Sequence, residues 1–139
     1  MFFFRKKPET EITDIESLHY WYSTGTMIDS YVYYDLKIKD DKYIAEIKPN
    51  NVPEENKITT EIKEEDIKKI TELLKKYHVN KWNGFHKTDQ NVLDGNSFSL
   101  NIYFKNGTSI SASGYMIYPD NYREVCNELD NIFLSYYNN

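Results

Sequence analysis

Apolar and polar residues alternate along six segments of the chain, a pattern typical of half-buried β-strands. In the first segment, Leu18, Tyr20 and Tyr22 alternate with His19 and Trp21. Because residues two apart lie on the same face of a strand, each segment offers one apolar face to a core. The other alternating segments lie at 31–38, 43–47, 58–62, 98–104 and 110–114.

Two further segments repeat with the period of an α-helix. Apolar residues recur three and four positions apart over 64–78 and over 122–137, so we predict a helix in each range. Asn121 followed by Glu124 predicts a capping box at the start of the second helix. The predicted order is β-β-β-β-α-β-β-α. This is an α+β fold, in which an antiparallel sheet of five to six strands carries both helices on its apolar face.

The parity of the apolar residues predicts the geometry of two hairpin turns. A three-residue loop with Gly107 in the left-handed conformation brings Ile102 opposite Ile110 on the apolar face. A two-residue loop would move Ile110 to the polar face, so we predict the longer loop although Asn-Gly usually favours two residues. The same test predicts an even-numbered loop at residues 40–41.

Length, charge and cysteine content narrow the possible functions. The 139 residues contain no stretch that resembles a linker, so we predict one domain, 1–139, with residues 1–12 as a flexible tail. Asp and Glu number 22 against 17 Lys and Arg, and the net charge of -5 argues against a nucleic-acid partner. The one cysteine, Cys126, allows no disulfide within the chain and fits a reducing compartment, so we predict a cytoplasmic location.

The start of the chain raises the question of membrane contact. Phe2, Phe3 and Phe4 precede Arg5, and a signal peptide would have its charges before the apolar run. No apolar run reaches the ~18 residues needed to span a bilayer. We therefore predict no membrane association, with a weak surface anchor at the three phenylalanines as the alternative.

The polar face of the predicted sheet is the main candidate for a binding surface. Tyr and Trp offer rigid contact area with a polar tip, and they are enriched at recognition sites. Two alternatives stay open: an ordinary solvated sheet face that needs no ligand, or a face covered by the segment 79–96. The candidate residues of the binding face are Trp21, Tyr33, Asp35, Tyr103, Ser111 and Tyr115.

The long irregular segment 79–96 offers a second candidate site. Loops of this length in a compact domain are often functional. Trp82 and Phe85 are its anchors in this prediction, and they would form the walls of a pocket for a small ligand between the segment and the sheet.

No motif for catalysis, a metal or a cofactor is recognisable in the sequence. His19, His78 and His86 are far apart and have no partner at ligand spacing. Residues 89–96 do not keep the spacing of a calcium loop, and Cys126 falls beside the apolar stripe of the second predicted helix, where cysteines are usually inert. We expect no metal and no cofactor, and an enzyme with an unrecognised site stays an alternative.

Four runs of the sequence resemble a family of small uncharacterised bacterial proteins. They are IKPNNVPEENKITTEI, KYHVNKWNGFHK, VLDGNSFSL and SASGYMIYPDNYREV, and the similarity extends over nearly the whole chain. The resemblance implies a single domain and a bacterial origin. It implies no activity, ligand or partner, and no functional residue is carried over from it.

Taken together, the patterns predict a non-enzymatic, cytosolic domain that binds another protein through the polar sheet face, as an accessory or antagonist of one partner. A small-ligand-binding domain with its pocket near 79–96 is the alternative.

Overall fold

The computed structural model describes residues 10–91 and 95–138, which form seven strands and two helices. The helices are α1 (Glu64–Lys76) and α2 (Tyr122–Tyr137), and short 3-10 helices lie at Glu54–Asn56 and Val79–Trp82. The strands are β1 (Ile15–Ser23), β2 (Tyr31–Lys39), β3 (Lys42–Lys48), β4 (Ile58–Ile62), β5 (His86–Thr88), β6 (Ser97–Phe104) and β7 (Ser109–Tyr115).

The strands form one sheet in the order β4-β3-β2-β1-β6-β7-β5. The central strand β1 pairs antiparallel with β2 on one side and with β6 on the other, so that Leu18 faces both Leu36 and Ile102. Strand β5 pairs with β7 in parallel, and the other neighbours are antiparallel. The predicted α+β class is therefore confirmed.

The structure has one strand more than the sequence predicted. The segment 79–96 was predicted to be irregular, but His86–Thr88 pairs with Ser113–Tyr115 at the edge of the sheet. Three exposed residues are too few to show a strand period, and parallel pairing with β7 is a long-range contact that the local sequence does not encode. Residues 92–94 of the same segment lie outside the described part of the chain.

The core lies between the sheet and the two helices. The inward side chains of β1, β2, β3, β6 and β7 and the apolar stripes of α1 and α2 belong to one buried cluster. The Phe133 ring of α2 stacks on the Tyr34 ring of β2 with centroids 4.5 Å apart. Residues on α1 that enter the same cluster are Ile67, Ile70, Leu73 and Leu74. Both helices therefore cover the same face of the sheet, as predicted.

Both predicted hairpin geometries are confirmed. Gly107 has φ 89°, Phe104 N–H donates to Thr108 O at 2.9 Å, and Ile102 lies opposite Ile110. At residues 40–41 the loop has two residues, both with positive φ, and the flanking register follows the predicted parity. The length of each turn therefore follows from the register that keeps the apolar side chains on one face of the sheet.

The predicted capping box at the start of α2 is wrong. Asn121 has φ 65° and ψ 16°, and its side chain makes no capping hydrogen bond. An N-cap residue reaches the first amides of a helix from the β-region, which the left-handed conformation of Asn121 precludes. Pro119 O instead accepts the N–H of Tyr122 at 3.2 Å, in a turn that leads into the helix.

The predicted tail is too long at its C-terminal end. Ile12 is buried with 8% exposure, and the Thr10 hydroxyl donates to Ser109 O at 2.9 Å. Residues 1–9, with the phenylalanines considered as a membrane anchor, lie outside the described residues. Within 10–91 and 95–138, no helix has the length and apolar character to cross a membrane.

We expect Gly114→Ala to destabilise the fold by roughly 1–3 kcal/mol, the usual cost of overpacking. A Cβ at Gly114 would overlap the carbonyl oxygen of Ile117 and lie 2.6 Å from the Phe98 ring. Gly25→Ala is the matched control, because its Cβ would meet Ser30 at 3.8 Å, an ordinary contact. Urea unfolding of both variants measures the difference, and equal midpoints would contradict the packing described.

Candidate functional site

The six predicted binding residues all lie on the face of the sheet that carries no helix, here called the open face. Trp21 of β1 pairs with Tyr33 of β2 and with Ser99 of β6, so these side chains project together. Tyr103 is 53% exposed, and the other five residues, Trp21, Tyr33, Asp35, Ser111 and Tyr115, are half-buried. The described residues of 79–96 extend the sheet at β5, and Gly95 N–H donates to the hydroxyl of Tyr115 on the open face at 2.7 Å.

Three rings form a stacked aromatic ladder on the open face. The Tyr31 ring lies 6.4 Å from the Trp21 ring at an interplanar angle of 27°, and 6.4 Å from the Tyr33 ring at 11°. The Lys48 ammonium sits 3.7 Å from the centroid of Tyr31. Stacked rings and a cation over a ring face each add stabilisation beyond simple burial. These contacts therefore give the ladder a defined geometry.

Glu54 fixes the tyrosine end of the ladder. The hydroxyls of Tyr31 and Tyr33 each donate to one oxygen of the Glu54 carboxylate, at 2.7 Å in both cases. These hydrogen bonds hold the pKa of Glu54 below its usual value, and the hydrogen bond to Glu54 is the main cause that raises the pKa of Tyr31 to about 12. Both tyrosine hydroxyls of the ladder are therefore engaged within the chain, and ring atoms form the rest of its surface.

The Lys48 side chain packs against the Tyr31 ring of the ladder. Its ammonium is buried and donates to Asp29 O at 2.8 Å and to Tyr31 O at 2.7 Å. Burial lowers the pKa of Lys48. A buried ammonium requires such acceptors, so Lys48 also ties the start of β2 to β3. The alternation of apolar and polar positions did not predict that Lys48 is buried.

The other half of the open face is polar. Ser113 Oγ lies 2.7 Å from His86 Nδ1, and Ser111 Oγ lies 3.5 Å from His86 Nε2. On β1 and β2, His19 and Asp35 approach to 4.0 Å. Within the described part of the chain no three His, Cys, Asp or Glu side chains converge as metal ligands. The serine–histidine contact, which appears only once β5 joins the sheet, gives this half hydrogen-bonding groups for a polar surface.

An exposed apolar tip adjoins the aromatic ladder. In the β1–β2 turn, Met27 is 76% exposed and Ile28 is 89% exposed. The turn has a fixed shape, since Thr24 N–H donates to Ser30 O at 2.8 Å and Ser30 N–H donates to Met27 O at 3.1 Å. Two neighbouring apolar side chains held in water at the end of an aromatic surface are a feature of interaction sites. Sequence reasoning missed this tip, although the apolar pair inside a turn was a visible signal.

The predicted pocket residues Trp82 and Phe85 line one cleft of about 470 Å³. Trp82 is buried and donates its indole N–H to Asp120 O at 3.1 Å. Phe85 is half-buried, with its ring 6.4 Å from that of the core residue Phe98. Since Phe98 faces the helices, the cleft lies on the helix side of the sheet, opposite the open face.

A second polar cluster, here called the tyrosine–aspartate cluster, lies partly buried between α2 and the sheet. Asp130 accepts hydrogen bonds from Tyr22 at 3.0 Å and from Tyr34 at 2.6 Å. Burial raises the pKa of Asp130, of Tyr34 and of Tyr22. Burial likewise raises the pKa of Cys126 to about 11, so this residue is a thiol at neutral pH and lacks the thiolate that a cysteine nucleophile requires.

Comparison with protein-family models and with curated proteins gives no match to the chain. The resemblance of its four sequence runs to small bacterial proteins therefore stays a prediction. Its function has to be inferred from the two surfaces described above, the open face and the cleft.

We expect Glu54→Gln to lower the pKa of Tyr31 from about 12 towards the ordinary tyrosine value of about 10. The charge-assisted hydrogen bond is lost, whereas the Tyr31 ring keeps its stacking neighbours. Carbon-13 NMR of the Tyr31 Cζ atom through an alkaline titration measures the pKa. Glu72→Gln, on α1, makes the same change in charge at a residue that does not raise the pKa of Tyr31, so it is the control and should leave the value near 12; an unchanged pKa in the Glu54 variant would show that another cause dominates.

We expect the tyrosine–aspartate cluster to give Asp130→Asn a characteristic pH dependence. Asp130 binds its proton more tightly in the folded state, because its pKa is raised there. Its contribution to stability is therefore present at low pH and declines as pH rises from the ordinary value of 3.8 through the raised pKa. An asparagine side chain does not titrate, so the free energy of unfolding of the variant should gain on that of the wild type across this interval. Urea unfolding at several pH values measures both free energies. A difference between variant and wild type that did not change with pH would contradict the raised pKa of Asp130.

Proposed function

We propose that this protein is a non-enzymatic protein-binding domain that contacts its partner through the open face. The observation that carries the proposal is the aromatic ladder together with the exposed Met27–Ile28 tip, which lies in the turn at the same end of the β1–β2 hairpin. Aromatic side chains and Met are enriched at protein interfaces, and contiguous exposed apolar groups mark interaction sites. A cytoplasmic location and a role as accessory or antagonist of that partner belong to the same proposal.

The open face has the size of a protein interface. Seven strands spaced about 4.8 Å apart and about seven residues long give a flat area of about 600 Å². A standard interface buries about 800 Å² on each partner, so the open face with its tip is of the right order.

The chemistry of the open face defines the kind of partner. The ladder and the tip form an apolar half, and the Ser113–His86 half offers hydrogen-bonding groups. Charges of both signs are interspersed, as in the Lys57–Glu46 and Lys57–Glu54 pairs. A partner with an apolar or aromatic patch and a polar rim fits this arrangement better than one bearing a single strong charge.

The test begins with site-specific crosslinking. A photoreactive benzoylphenylalanine replaces Tyr103 on the open face, and in a second protein it replaces Lys68 on the exposed side of α1. We expect a discrete crosslinked protein from a lysate of the source cells with the first variant and none with the second. The purified partner is then titrated by calorimetry against variants of the chain.

We expect Met27→Ser with Ile28→Ser, and separately Tyr33→Ser with Tyr103→Ser, to weaken binding of that partner about tenfold or more, as for interface hot spots. Lys68→Ser with Glu72→Ser on α1 is the matched control and should bind like the wild type. Equal affinities for all variants would contradict the proposal. A crosslinked product that is a second copy of the chain would replace the separate partner by self-association.

A further inference from the structure

We propose that the cleft lined by Trp82 and Phe85 is a binding site for a small planar aromatic acid that carries one negative charge. Its volume of about 470 Å³ lies in the range of about 300–1,000 Å³ that is usual for small-molecule sites. The cleft and the open face lie on opposite sides of the sheet, so this proposal stands independently of the protein partner.

The walls of the cleft are aromatic and fixed in place. Trp82 is held by its hydrogen bond to Asp120 O and stacks on Tyr122 with centroids 5.9 Å apart. Tyr118, which also lines the cleft, stacks on the core residue Phe98 at 5.7 Å. Because the partly exposed rings of Phe85 and Tyr118 are already packed on Phe98, a planar ligand gains contact with them without ordering mobile side chains. These rings favour a flat, aromatic ligand.

The charge of the cleft selects an anion. Two lysines, Lys81 and Lys87, and one acidic residue, Asp120, are among its lining residues, which gives a net charge of +1 in a chain of net charge -5. The Lys87 ammonium lies 5.1 Å from the centroid of the Phe85 ring, so the positive charge stands directly at an aromatic wall. The ion pairs found within the described residues involve neither lysine.

The neighbouring helix end has the same sign. Asn121 also lines the cleft and does not cap α2 with its side chain, so the positive end of the helix dipole adds to the charge of the two lysines, and Glu124 in the first turn offsets part of it. With Asp120 offsetting one of the two lysines, a single carboxylate matches the site better than a doubly charged phosphate. In this proposal one or two fused rings lie against Phe85 and Tyr118, and the carboxylate lies near Lys87, whose ammonium stands over the Phe85 ring.

The experiment uses 2-naphthoate and its neutral analogue 2-naphthamide as probes, followed by NMR of the full chain labelled with nitrogen-15. The two tryptophans give separate indole signals, Trp82 in the cleft and Trp21 on the open face. We expect 2-naphthoate to shift the Trp82 signal and leave that of Trp21 in place, with a Kd on the order of 1 mM for a ligand of this size. The neutral amide should bind about fivefold more weakly, because it forms no ion pair with the lysines. The difference is small because partly exposed ion pairs are weak.

Variants separate the lysines from general electrostatics. Lys81→Gln with Lys87→Gln should weaken 2-naphthoate about fivefold and leave 2-naphthamide unchanged. Lys68→Gln with Lys69→Gln on exposed positions of α1 makes the same change in net charge and should have no effect. Equal binding of acid and amide to the wild type would overturn the proposal, as would loss of affinity in the control variant or a shift of Trp21 in place of Trp82.

Discussion

The structure depends on the pairing of β1 with two strands that are distant from each other in sequence. Strand β1 joins the meander β2-β3-β4 to the pair β6-β7, and its registers with β2 and β6 both place Leu18 and Tyr20 against the helices. A slip of one residue at β1 would turn every side chain of this strand to the opposite face. The apolar residues of β2 and β6 would then lose their common partner in the core, so the register of one strand orders both halves of the sheet.

This register also gives tyrosine two different roles. Tyr22 and Tyr34 face the helices and donate to the half-buried Asp130, whereas Tyr31 and Tyr33 face the open side and donate to the exposed Glu54. In each case one carboxylate receives two phenol hydroxyls. The inner carboxylate is desolvated and holds its proton more tightly, and the outer one is stabilised in its charged form. One pair of tyrosines therefore stabilises the core on the helix side of the sheet, and the other pair orders the aromatic ladder on the open face.

The sheet also separates the two surfaces that carry the proposals. The open face is broad and mixed in charge, and the cleft is concave and locally cationic. The side chains that line the cleft contact the helix side of the sheet, and those of the aromatic ladder contact the hairpin and Glu54. Residues of the cleft can therefore be substituted without changing a residue that contacts the aromatic ladder, and the reverse also holds.

The sequence by itself determined the class of fold, most of the strands, both helices, the parity of the sheet and two turn geometries, because each rests on a short repeating pattern of apolar residues. It also placed the six open-face residues correctly on one face, since parity alone decides this. Only the tertiary structure decided the seventh strand, the burial of Lys48, the link from Glu54 to the aromatic ladder and the cationic surroundings of Trp82. These features join residues separated by long stretches of chain or set in irregular loops. No local period records such contacts, because they form only when the sheet and helices close around a common core.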